Sequence, residues 1–181
     1  MRKVLLSSLI LLYALSAFAY ETIIIRYPDG ENWEKAYYKK VGNEAILQYT
    51  PKGQTSNNWR RSIVIHSYNN SEYPINILVN NSVRKMKKIN PTGKYKTLRL
   101  NNSDAILTRC TDDYKNIEGQ CEFFRIARAH GGTVTIHYMN KNKEDFKSNY
   151  TIWYEIIKRI KFYNSYYRDE RIFDKSEYFE L

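Results

Sequence analysis

The sequence predicts an α+β protein, mainly an antiparallel sheet with two main helices packed on it, resembling an α/β/α sandwich. Short apolar runs rich in β-branched residues recur along the chain, and Pro-x-Gly, Asn-Asn or Gly-Gly turn signals separate them. Two longer segments instead carry apolar residues at helical spacing. Along the chain, runs of strands are thus separated from the helices, and this order favours an antiparallel sheet with helices packed on it.

The chain begins with the features of an export signal. A basic head and an apolar run precede an Ala-Phe-Ala sequence, so signal peptidase is expected to cut after Ala19. The run is short for a bilayer span, which needs about 20 apolar residues, although an uncleaved anchor is the alternative. We expect a bacterial protein that is periplasmic or secreted, with no integral membrane segment after cleavage. The predicted divisions are a signal peptide (1–19), one α+β domain (20–165) and a C-terminal tail (166–181).

Seven segments are predicted as strands because they are short, β-branched and bounded by turn signals. They are 21–26, 44–49, 62–68, 95–100, 105–110, 121–129 and 133–139. For the third of these, a helix starting at Trp59 is the competing interpretation. Segments 105–110 and 121–129 flank a polar loop and are expected to form a hairpin.

Three segments are predicted as helices. Residues 31–40 are expected to form a short one. In 75–89 the apolar residues recur at helical spacing, Ser71 is a candidate cap, and Pro74 sits in the first turn, where its missing N–H costs nothing. From 143 to 163 one apolar stripe predicts a long helix that covers the sheet. The tail could continue this helix or lie loosely on the surface.

Composition favours an anionic partner or an unknown protein. The chain has 29 Lys and Arg against 19 Asp and Glu, a formal net charge of +10, and a basic surface attracts phosphates, lipid headgroups or acidic polymers. The 17 tyrosines suit protein or glycan recognition. The alternatives are a basic surface that serves only solubility and, for the tyrosines, the codon bias of an AT-rich genome.

Cys110 and Cys121 are the two cysteines of the chain. An even pair at close spacing in an exported protein predicts a disulfide. Closing a loop of this length stabilises a fold by roughly 3 kcal/mol in the chain-entropy model.

The segment 49–65, YTPKGQTSNNWRRSIVI, looks at first like a ligand site. It lacks the second glycine of a phosphate loop, and its lysine precedes its only glycine. Nucleic acid is not the expected partner, because single-strand binders align several aromatic residues along a basic groove. Trp59 either faces the core or lines a binding surface with Arg60 and Arg61.

The candidates for acid–base or metal chemistry are His66, His130 and His137, the three histidines of the chain. With Arg125 or Arg128 they could form a phosphoryl-transfer site, provided that they come within hydrogen-bond reach. Scattered surface histidines are the alternative. We predict no cofactor and no metal, since no nucleophile elbow, zinc motif or calcium loop occurs.

The Pro51-Lys52-Gly53-Gln54-Thr55 sequence, followed by Asn58-Trp59 and an apolar run, resembles a motif of small exported proteobacterial proteins of unknown function. The order of elements is also similar to that of photosystem II extrinsic proteins. The resemblance implies a fold and carries no active site to this chain.

These observations favour an exported, non-enzymatic binding or accessory protein. A small secreted phosphodiester hydrolase, ribonuclease-like, is the enzymatic alternative. A secreted effector that binds a host protein is the third.

Overall fold

A computed structural model describes residues 21–25, 32–42, 44–69, 73–129, 132–164 and 177–180. The strands are β1 (Glu21–Ile25), β2 (Trp33–Val41), β3 (Glu44–Pro51), β4 (Arg61–Asn69), β5 (Lys94–Leu100), β6 (Asp104–Cys110), β7 (Cys121–Ala129), β8 (Gly132–Asn140), β9 (Lys161–Asn164) and β10 (Glu177–Glu180). The helices are α1 (Ile75–Ile89), α2 (Lys143–Ser148) and α3 (Tyr150–Arg159).

Seven of these strands form one antiparallel sheet in the order β2-β3-β4-β8-β7-β6-β5. A smaller sheet has the order β10-β1-β9, and its strands are also antiparallel. Within the large sheet the chain therefore runs through hairpins, except where α1 carries it from β4 to β5 at the far edge.

The main core lies on one face of the large sheet, beneath α2 and α3. Alternate residues of a strand point to opposite faces, and on this face Ile63, Ile65 and Ile136 are buried. The Tyr138 ring stacks on Trp153 of α3 with the ring centroids 3.7 Å apart. Fully burying each of these isoleucine side chains stabilises the fold by about 1.5–3 kcal/mol, so this core supplies much of the stability of the large sheet.

A second, smaller core lies on the opposite face, under α1. Ile75 and Val79 of the helix pack on Leu107 and Phe124 of β6 and β7. The main contacts of α1 are with β5, β6 and β7. The helix therefore covers one end of this face, and we call the remaining part, on β2, β3, β4 and β8, the open face.

The predicted fold class, an α+β sandwich with two main helices, is wrong. Within the described residues the protein is dominated by the seven-stranded antiparallel sheet, and its three helices are short. Two segments account for most of the difference, 31–40 and 143–163.

The predicted helix at 31–40 is the edge strand β2, which pairs with β3. After Trp33 its side chains are exposed or half-exposed, so no apolar stripe exists to hold a helix against the core. Gly42 has φ +57°, which suits the tight hairpin between Val41 and Glu44. Pairing along a neighbouring strand thus outweighs the weak helical pattern.

The predicted helix at 143–163 is divided at Asn149, whose side chain donates to the carbonyl of Asp145 at 3.0 Å. The backbone N–H of Asn149 also donates to this carbonyl, and the break between the helices lies in the dihedral angles of Asn149, φ −103° and ψ 11°, which are not helical. The apolar stripe is nevertheless present, with Phe146, Trp153 and Ile157 all buried. After α3 the chain becomes β9 and pairs with β1.

The other predicted elements need smaller corrections. The predicted strands from 44–49 to 133–139, and the helix at 75–89, agree with β3 to β8 and α1 within a residue or two at each end. The predicted loose or helical tail is wrong at Glu177–Glu180, which form β10 beside β1. The export signal, Ser71 and 165–176 lie outside the described residues.

Candidate functional site: a histidine and carboxylate cluster

Two of the three predicted histidines come together on the open face. In the β4–β8 pair Val64 lies opposite His137, and His66 lies opposite Thr135. Residues that are directly opposite, and alternate residues of one strand, point to the same face. His66 and His137 are therefore diagonal neighbours on one surface. His130 lies outside the described residues.

A buried carboxylate lies beneath His137. The Glu122 side chain is only 1% exposed, and its Oε2 is 3.5 Å from Nδ1 of His137. Its Oε1 is 2.8 Å from Nε of Arg109, which lies directly opposite on β6. Burial by itself raises the pKa of Glu122, but His137 and then Arg109 outweigh it, and the pKa stays below its usual value. The carboxylate is therefore charged and positioned at neutral pH.

Aromatic neighbours restrict both imidazole rings. The His137 ring stacks on Phe124 with the centroids 4.2 Å apart. The His66 ring lies 3.8 Å from that of Tyr68, and its Nε2 is 3.4 Å from Oε2 of Glu44. The side chains of His66 and His137 are 19% and 24% exposed respectively, so both rings are partly accessible, whereas Nε2 of His66 is itself buried.

Burial has the largest effect on His66. It lowers the pKa of His66, although the charge of Glu44 and its hydrogen bond act in the opposite direction. Repulsion from the neighbouring His137, when that ring is protonated, and from Lys85 on α1 lowers it further. His66 is therefore mainly neutral at pH 7 and gains a charge only in more acidic solution.

The arginines that the sequence suggested as partners lie elsewhere. Arg125 is on the opposite face, where it donates to Asp104 and to the last carbonyls of α3. Arg128 donates to Thr133 Oγ1 near the far end of the strand pair. The cation of the site is instead Arg109, which sequence reasoning missed along with Glu122.

A sequence signal for this pair did exist. Arg109 precedes Cys110, and Glu122 follows Cys121. Cys110 and Cys121 are disulfide-bonded and directly opposite in the β6–β7 pair. In an antiparallel pair this register places residues 109 and 122 opposite each other as well. The predicted disulfide therefore already implied the ion pair.

The segment with the Pro-Lys-Gly turn forms an ordered loop between β3 and β4. Gly53 has φ +83°, as a tight turn requires. The side chain of Gln54 accepts from the backbone N–H of Arg60 at 2.7 Å. Thr55 Oγ1 accepts from the backbone N–H of Asn58 at 3.1 Å. Local hydrogen bonding accounts for these residues, as a turn interpretation predicts.

The three predicted binding residues of this loop have different surroundings. Trp59 is half-buried and belongs to neither core cluster, and Nζ of Lys141 lies 4.7 Å from the centre of its ring. Arg60 is exposed, whereas Arg61 is buried, with its guanidinium 5.9 Å from the Trp33 ring. Trp59 and Arg60 remain available at the surface, and Arg61 does not.

The described residues offer no group of three or more His, Cys, Asp or Glu side chains that could hold a metal ion. None of the helices in the described part of the chain has the length and apolarity needed to span a membrane.

Residues 25–164 match the model of a protein family, which is more than half of the 181-residue chain. The chain belongs to this family. Its members are uncharacterised proteins, which agrees with the predicted likeness to proteins of unknown function. The match does not test the Pro-Lys-Gly-Gln-Thr motif. No curated protein and no solved structure matches the chain, so the likeness to photosystem II extrinsic proteins has no support.

Proposed function

We propose that this protein is an exported, non-enzymatic binding protein and that its open face binds an anionic ligand. One observation carries the proposal: His66 and His137 are neighbours on a part of the sheet that α1 does not cover. Both rings are partly exposed, and the positive charge of Lys85 acts on His66 from the end of α1. An anion at this position would meet the two imidazole rings and the cationic side chain of Lys85.

Charge and compartment support the same function. The formal net charge of +10 favours encounter with anions. The predicted signal peptide, with cleavage after Ala19, and the disulfide between Cys110 and Cys121 suit an oxidising compartment such as the periplasm. A host protein with an acidic surface would be a partner of the same chemistry, contacted through Trp59 and Arg60 as well.

The test is anion binding by the mature protein, residues 20–181, with inorganic phosphate as the probe and NMR chemical shifts as the readout. We expect the shifts to concentrate at His66, His137 and their strand neighbours. The affinity should fall as salt is raised, because exposed charges are screened. The variant His66→Asn/His137→Asn should weaken binding by about tenfold or more, since hydrogen bonds to charged groups are worth about 1.5–3 kcal/mol.

A matched control is Lys52→Ala, which removes an exposed cation from the turn after β3 and should leave binding unchanged. Shifts spread over the whole basic surface, or equal losses in both variants, would mean that the net charge rather than the open face attracts the anion.

A second candidate function is phosphodiester hydrolysis, and the contact between Glu122 and Nδ1 of His137 favours it. A carboxylate on one ring nitrogen lets the other act as a general base. His137 would take the proton of a ribose hydroxyl that attacks phosphorus, and His66, once protonated in mildly acidic solution, would give a proton to the leaving oxygen. Incubation with single-stranded RNA tests this. Cleavage that persists in His137→Asn would exclude the site.

A further inference from the structure

We infer that Glu122 is the positioning residue of the open face, and that through His137 it makes the site select phosphate-type anions over sulfate-type anions. The inference rests on the anion-binding function proposed above. Glu122 is only 1% exposed, so it cannot itself meet a ligand. It contacts Nδ1 of His137, whose side chain is 24% exposed, and it therefore acts through that ring.

The chemistry follows from the two nitrogens of imidazole. A neutral ring carries one N–H, and a carboxylate beside Nδ1 holds the proton there. Nε2 of His137 then offers a lone pair to the open face. A hydrogenphosphate group can donate its P–OH to that lone pair, while its oxyanion oxygens accept from neighbouring cations. Sulfate carries no proton near neutral pH and would leave the lone pair without a donor.

Arg109 makes this arrangement compatible with an anionic ligand. Its guanidinium lies 2.8 Å from Glu122 and is itself only 11% exposed, so it balances the buried carboxylate from within the sheet. An anion bound at Nε2 is therefore not repelled by a net negative charge below the ring. The charged or titratable groups around the two histidines come from several elements: Glu122 on β7 contacts His137 and Arg109 on β6 contacts Glu122, while Glu44 on β3 and Lys85 on α1 act on His66.

The exposed pair on the same face provides a matched control. His66 contacts Glu44 through Nε2 at 3.4 Å, and the Glu44 side chain is 59% exposed. Water competes for such a carboxylate, so its hold on the ring is weak. Glu44→Gln and Glu122→Gln thus make the same chemical change beside two histidines of one surface, once in solvent and once in the protein interior.

The first measurement is the tautomer of His137 in the mature protein without ligand, read from ¹⁵N NMR of the imidazole above pH 7. We expect the Nδ1–H tautomer in the natural protein and in Glu44→Gln, and its loss in Glu122→Gln. An Nε2–H tautomer in the natural protein would overturn the inference. That reading needs no variant, so it decides the matter even where Glu122→Gln fails to fold.

The second measurement compares inorganic phosphate with sulfate at pH 7 and constant ionic strength. Phosphate should bind about tenfold more tightly, because a site built around a hydrogen bond rejects the analogue that lacks the donor. Glu122→Gln should abolish this preference, and Glu44→Gln should keep it. Equal affinity for both anions in the natural protein would refute the selectivity.

Two further probes identify the source of the phosphate group. Glycerol 3-phosphate represents a soluble monoester, and vesicles containing phosphatidic acid represent a lipid headgroup. Both are measured at about pH 6, near the second pKa of a phosphate monoester, where about half of the monoester groups keep the P–OH. Binding of either with the phosphate-over-sulfate preference supports the inference. If the tautomer is as expected but no anion binds, the anion-binding function and the ligand assignment both fail, while the positioning of His137 by Glu122 stands.

Discussion

Replacing Arg125 by methionine should destabilise the protein by about 4 kcal/mol. The side chain is 9% exposed and its Nε donates to Asp104 at 2.8 Å. Its Nη1 donates to the carbonyls of Ile157 and Ile160, each at 2.8 Å. Arg125 thus joins the large sheet to the end of α3, just before the chain enters the small sheet.

The magnitude follows from what the substitution leaves behind. Removing one partner of a buried ion pair costs about 3–5 kcal/mol, and each buried carbonyl without a donor costs about 1–3 kcal/mol. These losses do not add fully. Asp104 keeps Arg99 as a second partner, and methionine retains most of the packing volume. About 4 kcal/mol is a large part of the 5–15 kcal/mol that stabilises a typical domain.

Urea denaturation, followed by tryptophan fluorescence, measures the effect. With a slope of about 2 kcal/mol per molar urea, the midpoint of Arg125→Met should fall by about 2 M. The matched control is Arg159→Met on α3, whose side chain is 78% exposed and paired with Glu155. It should cost less than about 1 kcal/mol. Equal midpoints for the two variants would show that Arg125 does not hold the sheet and helix together.

Three further predictions concern stability. The double variant Cys110→Ala/Cys121→Ala should lose roughly 3 kcal/mol of unfolding free energy, measured by urea denaturation. The natural protein in reductant should lose about as much, and an unchanged midpoint in both would contradict a stabilising disulfide. Burial lowers the pKa of His66 in the folded protein below its unfolded value of about 6.5. The stability that the neutral ring contributes is therefore fully present above about pH 6.5 and is lost as the pH falls through the folded pKa. Between pH 7.5 and 5 the free energy of unfolding should therefore fall less in His66→Gln than in the natural protein, and an equal fall in both would refute this. Asn142→Ala should cost about 1 kcal/mol in thermal unfolding because its side chain caps α2, whereas a gain in stability would exclude the cap.

Local signals in the sequence predicted the middle of the sheet well. The hairpin around the cysteine loop, formed by β6 and β7, is confirmed because its turn residues and apolar alternation agree. The strand β4 is likewise confirmed over the alternative of a helix starting at Trp59. In these segments the local pattern and the tertiary pairing favour the same structure.

The edges of the fold were harder to predict. β2 lies at the edge of the large sheet, and most of its side chains are exposed, so burial imposes no period on its sequence. The end of α3 was missed for a related reason. Ile160 continues the helical apolar stripe but is the C-cap, and the next residues pair with β1. That pairing joins segments more than a hundred residues apart, and no local pattern contains it.

The candidate site was only partly predictable. His66 and His137 could be named as polar residues in apolar strands, but their proximity depends on β4 pairing with β8, a contact between distant segments. Glu122 and Arg109 looked like ordinary charged residues beside the cysteines. A sequence read one residue at a time gives no reason to expect a carboxylate that is 1% exposed.

The disulfide also constrains the site. Cys110 and Cys121 are adjacent in sequence to Arg109 and Glu122, and all four belong to the same β6–β7 register. A slip of one residue would turn every side chain of a strand to the opposite face, which would separate the carboxylate from its guanidinium and from His137. By linking these strands covalently, the disulfide excludes that slip. Its removal should therefore disturb the Nδ1–H tautomer of His137 as well as stability, and a tautomer unchanged in the reduced protein would show that pairing alone maintains the register.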